Sequence, residues 1–423
     1  MNKSDSERIA AHLEKHGFLY SEDKNTADVV VLTTCGVRQS AEDRIYGLVL
    51  RLKKTNPRAK IVLAGCLSER EDVKNVLGKL VAVWLPIRML ASLNRMLAGK
   101  SGHRTDKNCG YLKILPKYES AYRAYVPIGN GCNNFCSYCI VPSARGREEY
   151  RPAQEIINEV KLLVKKGYKE IILIAQNVNS YKPDVKSRNL KENAADFADL
   201  LKMVSQIPGD FWVRFATSHP KDLNGKLIKT IAGSGKICRH IHLPAQSGDN
   251  GILQAMNRKY TAEQYFGLIG KIRKAMPDAA ITTDIIVGFP GESRKQFLNT
   301  LKLFRKAKYD MAYISQYSPR PLTAAYKLPD SVPKMEKKRR EKELTEILRK
   351  SSYANNKRYL NQITTILAEG RDKQGRIYGK TATDKKVLAT VKTTTACRGH
   401  FASVKITGCR DFGLEGELIA VKS

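Results

Sequence analysis

The chain has no apolar run of about 18 residues, which argues against a membrane-spanning helix. Its opening, MNKSDSERIAAHLEKHG, lacks the apolar core of a secretory leader. The expectation is therefore a cytoplasmic protein. Acid is scarce: 41 Asp and Glu stand against 74 Lys and Arg, a formal charge of +33. A field of that sign attracts polyanions, nucleic acid above all, and also steers acidic electron-transfer proteins. A bland solvated Lys-rich surface is the alternative. Nine cysteines in a cytosolic chain argue against a disulfide framework and for metal binding or catalysis. With 423 residues there is room for two or three domains.

Three cysteines, Cys132, Cys136 and Cys139, stand at C-x3-C-x2-C just after the apolar run 125–128. Clustered thiolates select zinc or iron–sulfur centres. A structural zinc site closes with four protein ligands. Here the next cysteine is Cys238 and the nearest downstream histidine is His219. The trio therefore suits an iron–sulfur cubane with one iron left open to a substrate or cofactor. A zinc knuckle borrowing a distant fourth ligand is the alternative.

Residues 1–113 read as a small α/β unit, with helices over 4–16, 39–54 and 87–97 and strands over 28–33, 60–64 and 81–85. Two strands end in cysteine, at Thr34-Cys35-Gly36 and Gly65-Cys66. Ligands gather at the carboxyl ends of parallel strands, although a small buried thiol there is also ordinary. Residues 98–113, with Gly102, His103 and Asp106, read as a linker. Between 118 and 350, strands over 124–128, 170–174, 211–215, 238–243, 280–287 and 311–314 alternate with helices over 152–166, 194–206, 223–232, 261–275 and 294–306. Six such repeats predict a parallel sheet curled into a barrel or partial barrel. The strand ends carry Gln176 and Asn177, then Ser218, then Gln246 and Ser247, then Gly288. Any one of them could be a turn residue, but together they suit a polar nucleoside cofactor.

Residues 331–360 predict a charged helix with Lys-Lys-Arg-Arg at 337–340, an ordinary solvated face or a nucleic-acid contact. From 361, β runs at 364–368, 377–379, 387–391 and 402–406 predict a small antiparallel barrel. It is basic, with Arg371, Lys373, Arg376, Lys380, Lys385, Lys386 and Lys392. Cys397 and Cys409 read as ordinary thiols.

The stretch GCNNFCSYCIVPSARGR, 131–147, resembles the cluster loop of radical S-adenosylmethionine enzymes, and within them the methylthiotransferase branch. LTTCGVRQSAEDR and AGCLSER resemble two of the three cysteine segments that hold that branch's auxiliary cluster, which puts Cys35 and Cys66 in its second and third places. The first usually lies in a Gly-Cys-Gln-Met-Asn segment. The chain opens at Met1-Asn2-Lys3, so the expectation is that the segment and its strand lie upstream of a mis-assigned start, with a natural truncation as the alternative. Cys109 has nothing in its setting to recommend it as a substitute. Gln176-Asn177-Val178-Asn179-Ser180-Tyr181 and Thr217-Ser218-His219-Pro220 are similar to the tRNA 2-methylthio-N6-isopentenyladenosine synthases. Ala175 and Leu322, where Gly is usual, and Ala324, where Pro is usual, depart from that pattern. The end of the chain resembles the TRAM RNA-binding domain.

The resemblance implies an α/β protein of three parts: an N-terminal α/β sandwich over 1–113, a partial (β/α)6 barrel over 118–350 and a TRAM/OB-like β-barrel over 355–423. It implies two 4Fe-4S clusters, one on Cys132, Cys136 and Cys139 and an auxiliary one on Cys35 and Cys66. It implies S-adenosyl-L-methionine on the open iron and a methylthio group placed on C2 of isopentenylated adenosine in a tRNA anticodon loop. A flavodoxin- or ferredoxin-type donor and a monomer complete the expectation. The alternatives are threonylcarbamoyladenosine or a ribosomal protein as target, or a non-catalytic RNA-binding protein.

Overall fold

The computed structural model describes residues 1–36, 39–100, 110–183, 195–391 and 397–422. Gly102, His103 and Asp106 of the expected linker, Cys109, Ala194 and Lys392 lie outside the described residues. The chain divides into two compact units. The first joins Met1–Glu119 to Gly129–Arg151 and Ser318–Lys327; the second joins Ser120–Ile128, Pro152–Tyr317 and Leu328–Ser423.

In the first unit, α1 (Asn2–Lys15) precedes β1 (Val29–Thr34), α2 (Gln39–Thr55), β2 (Lys60–Gly65), α3 (Glu71–Leu77), β3 (Val83–Leu85) and α4 (Leu93–Leu97). The three strands pair in parallel in the order β1-β2-β3. Strand side chains alternate between faces. Val62 and Ala64 pack with Ile9, Leu90 and Leu93, whereas Ile61 and Leu63 pack with Val49, Leu52 and Val73. The sheet is thus buried on both faces, as a parallel sheet requires. The single helix expected over 87–97 is instead a 3₁₀ turn, Ile87–Ser92, followed by α4. Ile87, Leu90 and Leu93 are all buried. Their three-residue spacing is the repeat of a 3₁₀ helix.

β4 (Arg123–Pro127) opens the second unit, and the chain then enters the cysteine loop of the first, framed by β5 (Gly129–Asn130), α5 (Val141–Arg145) and β6 (Glu149–Tyr150). The second unit resumes with α6 (Ala153–Lys165), β7 (Glu170–Ile174), α7 (Phe197–Ser205), β8 (Trp212–Ala216), α8 (Gly225–Ala232), β9 (His240–His242), α9 (Asn250–Ala255), α10 (Ala262–Ala275), β10 (Ala280–Val287), α11 (Arg294–Ala307) and β11 (Met311–Gln316). β4-β7-β8 and β9-β10-β11 are parallel sheets joined by a parallel bridge from Val213 to Ile237. Six strands therefore run side by side in chain order. Among the described residues β4 and β11 do not pair with each other, so this is a partial barrel. Capping boxes at Asp196, Thr261 and Ser293 set the starts of α7, α10 and α11.

The long helix α12 (Lys334–Lys357) leads to a closed five-stranded barrel of β12 (Ile363–Arg371), β13 (Ile377–Thr381), β14 (Lys386–Thr390), β15 (Phe401–Arg410) and β16 (Gly413–Val421). Closure leaves no free edge. β16 escaped the sequence reading because Gly413 and Gly416 interrupt it. Gly416 is required by crowding, since a Cβ there would stand 2.4 Å from the Lys405 carbonyl oxygen. Cys397 is buried in the barrel core.

The β13–β14 turn of this barrel meets the amino-terminal ends of the parallel strands. Arg214 of β8 donates to the carbonyls of Thr381 (2.7 Å) and Ala382 (3.1 Å). Lys385 lies 2.7 Å from Asp310, just before β11. Glu170, the first residue of β7, accepts from Arg214 at 2.5 Å and also from Arg123, which reaches Glu369 of β12 at 2.5 Å. Glu170 is almost wholly buried. Removing one partner of a buried pair leaves an uncompensated charge and costs about 3–5 kcal/mol. Glu170→Gln is therefore expected to lower stability by about that amount. A Trp84→Phe background leaves Trp212, beside this cluster, as the fluorescent reporter of the drop in urea midpoint.

Candidate functional site

The cysteine loop is built by close backbone contact. Gly131 has φ +84°, and a Cβ there would stand 2.0 Å from the Arg147 carbonyl oxygen. Only glycine fits such an approach. The Cys132 N–H donates to the Gly146 carbonyl at 3.1 Å, and that of Cys139 to Cys136 at 3.0 Å. Asn133 and Glu148 clamp the two arms reciprocally, backbone N–H to side chain, at 3.1 and 3.2 Å. Asn134 donates its backbone N–H to the Cys132 Sγ at 3.4 Å and its side-chain amide at 3.7 Å. Arg145 closes the loop on Asp5 of α1 and on Asn130 Oδ1 at 3.2 Å.

Cys35 and Cys66 arrive at one sheet edge because Thr34 and Gly65, the residues before them, are register partners. Thr34 Oγ1 donates to the Ala64 carbonyl at 2.8 Å and accepts from the Leu67 N–H at 3.1 Å, which turns the chain after β2. Cys66 then packs against Ile140 and Ala144 in a small buried cluster. Ile140 directly follows Cys139. Two cysteine groups far apart in sequence therefore meet in one compact unit.

The thiols feel one another. Burial pushes the Cys139 thiol up to about 12, opposed by the Val141 N–H and reinforced by Cys136, Cys132 and Cys66. Cys132 is also raised, by burial and the Glu148 charge, against the pull of the Asn134 donors. Crowded, desolvated thiolates need a cation to hold them together. Among the described residues no three His, Cys, Asp or Glu side chains converge as a single-ion site. A cluster asks for something else, because each cysteine there binds a different iron. The donor set fits an iron–sulfur cluster: three thiols in one loop, one of them accepting N–H donors as a thiolate does.

In the second unit the segments after β7 and β8 lock together. The His219 N–H donates to Asn177 Oδ1 (3.1 Å) and Asn179 Oδ1 (2.8 Å), and the Asn179 amide returns to the His219 carbonyl at 2.9 Å. Asn177 Nδ2 donates to Asp222 at 2.9 Å. Thr217 holds φ +63° and donates Oγ1 to the Ala175 carbonyl at 2.8 Å. His219 Nδ1 accepts from the Lys221 N–H at 3.2 Å, which places its proton on Nε2. Within this lock, both polar atoms of the Gln176 side chain and the Ser218 Oγ are buried without a partner among the described residues. Most buried polar groups in proteins are paired. Orphans at the carboxyl ends of parallel strands fit a polar cofactor such as S-adenosylmethionine.

The other predicted cofactor residues are engaged by the chain itself. Ser247 lies 3.3 Å from Thr300 Oγ1 and accepts from the Asp249 N–H at 3.2 Å. Gln246, at φ +67°, bonds β10 through its backbone on both sides. Gly288, at φ +68°, donates its N–H to Glu292 at 2.7 Å, and a Cβ there would meet Lys337 at 2.4 Å.

That contact corrects one expectation. The basic run 337–340 is not simply a solvated face. Lys337 and Arg340 are buried. Lys337 donates to the Tyr317 carbonyl at 3.1 Å and to Asp330 at 2.5 and 2.7 Å. Arg340 donates to Glu292 at 2.6 Å and crosses the Phe297 ring. Their stems bury beside aromatic rings while their charges find carboxylates, so they hold the Gly288–Glu292 turn. Sequence reasoning also passed over Asp5, Glu42 and Glu170, whose partners are distant in the chain.

The Radical SAM superfamily model matches residues 126–304, and the model described as uncharacterized protein family UPF0004 matches residues 1–84. The chain is 41% identical over 432 residues to a protein of Clostridium tetani named tRNA-2-methylthio-N(6)-dimethylallyladenosine synthase, covering 99% of this chain and 94% of that one. A protein of the same name from Carboxydothermus hydrogenoformans is 40% identical over 438 residues, with 99% and 97% covered. Among solved structures, the radical S-adenosylmethionine methyltransferase TsrM from Kitasatospora setae, with cobalamin and a [4Fe-4S] cluster, aligns with TM-score 0.56 and 13% identity. It covers 77% of this chain and 73% of its own, and speaks for the fold alone.

His219 sits inside the lock as a neutral ring. Burial, aided by the Arg258 and Lys221 charges, pushes it down to about 2. Unfolded, the ring takes up a proton below about pH 6.5, whereas the folded ring stays neutral. Its contribution to stability is complete above about pH 6.5 and falls with acid by up to about 1.4 kcal/mol per pH unit. Urea midpoints between pH 7 and pH 4 are expected to fall less steeply for His219→Gln than for the natural protein.

Proposed function

The chain belongs to the family of the tRNA-2-methylthio-N(6)-dimethylallyladenosine synthases, and on that premise we propose that it is a radical S-adenosylmethionine methylthiotransferase acting on tRNA. Its substrate is an adenosine next to the anticodon that carries an N6-isopentenyl group, and its product carries a methylthio group on C2. The observation that carries this reading is the meeting of two cysteine groups in one unit, with Cys66 packed on the residue after Cys139.

Cys132, Cys136 and Cys139 hold one 4Fe-4S cluster, and Cys35 and Cys66 contribute thiolates to an auxiliary one. When bound, these clusters and S-adenosyl-L-methionine supply radical chemistry able to remove hydrogen from an unactivated carbon, together with the methylthio group. No side-chain acid or base removes such a hydrogen under mild conditions. The chain's own residues bind and position. The two Asn134 donors favour the charged form of Cys132. Gln176 and Ser218 offer buried polar atoms to the cofactor. Asn177, Gln246, Ser247 and Gly288 shape the strand-end turns around it. The excess positive charge attracts the tRNA, whose target base must be splayed from a single-stranded loop. The finer reading is a cytoplasmic monomer taking electrons from an acidic flavodoxin- or ferredoxin-type donor. No helix of the described residues is long and apolar enough to cross a membrane.

Three measurements test this. After anaerobic reconstitution, about eight irons per chain are expected, for two cubanes; about four leaves room for one. Cys136→Ala should abolish cleavage of S-adenosylmethionine to 5′-deoxyadenosine, and retained cleavage contradicts the ligand assignment. In cells, deleting the gene should remove the 2-methylthio-N6-isopentenyladenosine peak from the nucleoside mass spectrum of bulk tRNA. An unchanged peak, in a strain with no second copy, rules out the substrate.

A further inference from the structure

Segment Ser318–Lys327 belongs to the first unit, with both cysteine groups, and is bonded to residues beside each of them. At its start, Ser318 Oγ lies 3.3 Å from Gln39 Oε1, and Arg320 Nη1 donates to Gln39 Oε1 at 2.7 Å and to Glu42 Oε2 at 2.9 Å. Gln39 and Glu42 open α2, the helix that follows Cys35. The same Glu42 oxygen accepts from Arg70 Nη1 at 2.6 Å, in the Cys66-Leu67-Ser68-Glu69-Arg70 stretch. One carboxylate thus joins the segment to the chain beyond each of Cys35 and Cys66. Arg320, Glu42 and Arg70 are all buried, which strengthens charge-assisted bonds by excluding water.

The far end of the segment is bonded to the other group. Ser143 Oγ donates to the Leu322 carbonyl at 3.4 Å. The Ala325 N–H donates to the Ser137 carbonyl at 2.7 Å, and Ser137 adjoins Cys136. Between these anchors Leu322 holds φ +67°, a left-handed conformation costly for a leucine. Such strain persists where the surroundings over-determine the backbone, and it clusters at functional positions. Arg320 also lies within the electrostatic field of Cys35.

We propose that Ser318–Lys327 is a tie that fixes the separation of the Cys35/Cys66 group from the Cys132/Cys136/Cys139 group, with Arg320 as its positioning residue acting through Glu42. This rests on the reading that both groups hold clusters. A transfer that uses two centres on one carbon needs them at a set distance, and a misplacement of about 1 Å costs on the order of 100-fold.

The test uses the full chain, anaerobically reconstituted, with Arg320→Leu and Arg320→Lys. Iron per chain, 5′-deoxyadenosine formed, methylthio-nucleoside formed, and the spin coupling between the reduced clusters are measured together. Arg320→Leu is expected to keep its iron and to cleave S-adenosylmethionine within about threefold of the natural rate. Its methylthio-nucleoside per 5′-deoxyadenosine should fall by about tenfold or more, with an altered spin-coupling signal. Arg320→Lys, which keeps the charge but not the fork, should fall between. An unchanged product ratio overturns the proposal. So does loss of iron, which would make Arg320 a structural support of one cluster. If Arg320→Leu does not fold, a natural ratio in Arg320→Lys overturns it. Failure of the parent reading is distinct, since the natural protein itself would then hold one cluster or yield no methylthio product.

Discussion

One buried carboxylate organises the first unit. Asp5, on α1, accepts from the Arg145 guanidinium and from the Tyr111 hydroxyl. Burial by itself would lower the affinity of Arg145 for its proton, but Asp5, with Cys66 and Tyr111, more than offsets that and holds it charged. Arg145 also reaches Asn130, so both ends of the cysteine loop are referred to the same anchor. Without Asp5 a guanidinium would be left buried and unbalanced, a cost of about 3–5 kcal/mol, concentrated at the loop that carries the three thiols. The loop is therefore positioned by a residue 140 positions away in sequence.

The second unit treats its two strand ends differently. At the amino ends, Glu170, Arg123 and Arg214 are bonded to one another and to the C-terminal barrel, and Lys385 stands against Asp310. Charges at that end stand against opposite charges of the chain itself. At the carboxyl ends, Asn177, Asn179 and His219 saturate one another and hold a strained Thr217. The same lock leaves the polar atoms of Gln176 and Ser218 without a partner among the described residues. Leaving a buried amide unpaired costs about 1–3 kcal/mol. Other buried polar atoms are also unmatched, but among the described residues only Gln176 leaves both ends of an amide so, and it stands with Ser218 at the carboxyl ends of parallel strands, where the predicted nucleoside cofactor would supply partners.

Much of this was legible in sequence because the signals are local. β-branched runs closed by Gly or Cys mark β1, β2 and β10, and the spacing of Cys132, Cys136 and Cys139 carries its own chemistry. What was not legible depends on distant partners. Neither segment involved announces that Asp5 of α1 pairs with Arg145 at the end of the cysteine loop. Nothing near Lys337 announces that Gly288 opens a slot for its stem. The five-stranded barrel was foreseen as a barrel, but β16 was hidden by its glycines. The rim residues were foreseen as one set, whereas Gln176 and Ser218 differ from Asn177 and Ser247 only in the bonds the fold makes for them.

The inward basic residues also decide where the positive field resides. Arg145 is matched by Asp5, Arg123 and Arg214 by Glu170 and Glu369, Lys337 by Asp330, Arg340 by Glu292, and Lys385 by Asp310. These pairings match six cations with six anions, so they leave the excess of +33 to the rest of the chain. In the C-terminal barrel, Arg376 and Lys380 are each 2.8 Å from an aspartate, while Lys373 and Lys386 are exposed. The most conspicuous basic run, 337–340, gives two of its four charges to the interior. Attraction for a polyanion is therefore a property of the dispersed surplus. A dispersed field guides a long, folded RNA toward the protein and is screened readily by salt. It does not by itself select one base. The charges that left the surface act locally instead: Lys337 and Arg340 hold the Gly288–Glu292 turn in shape.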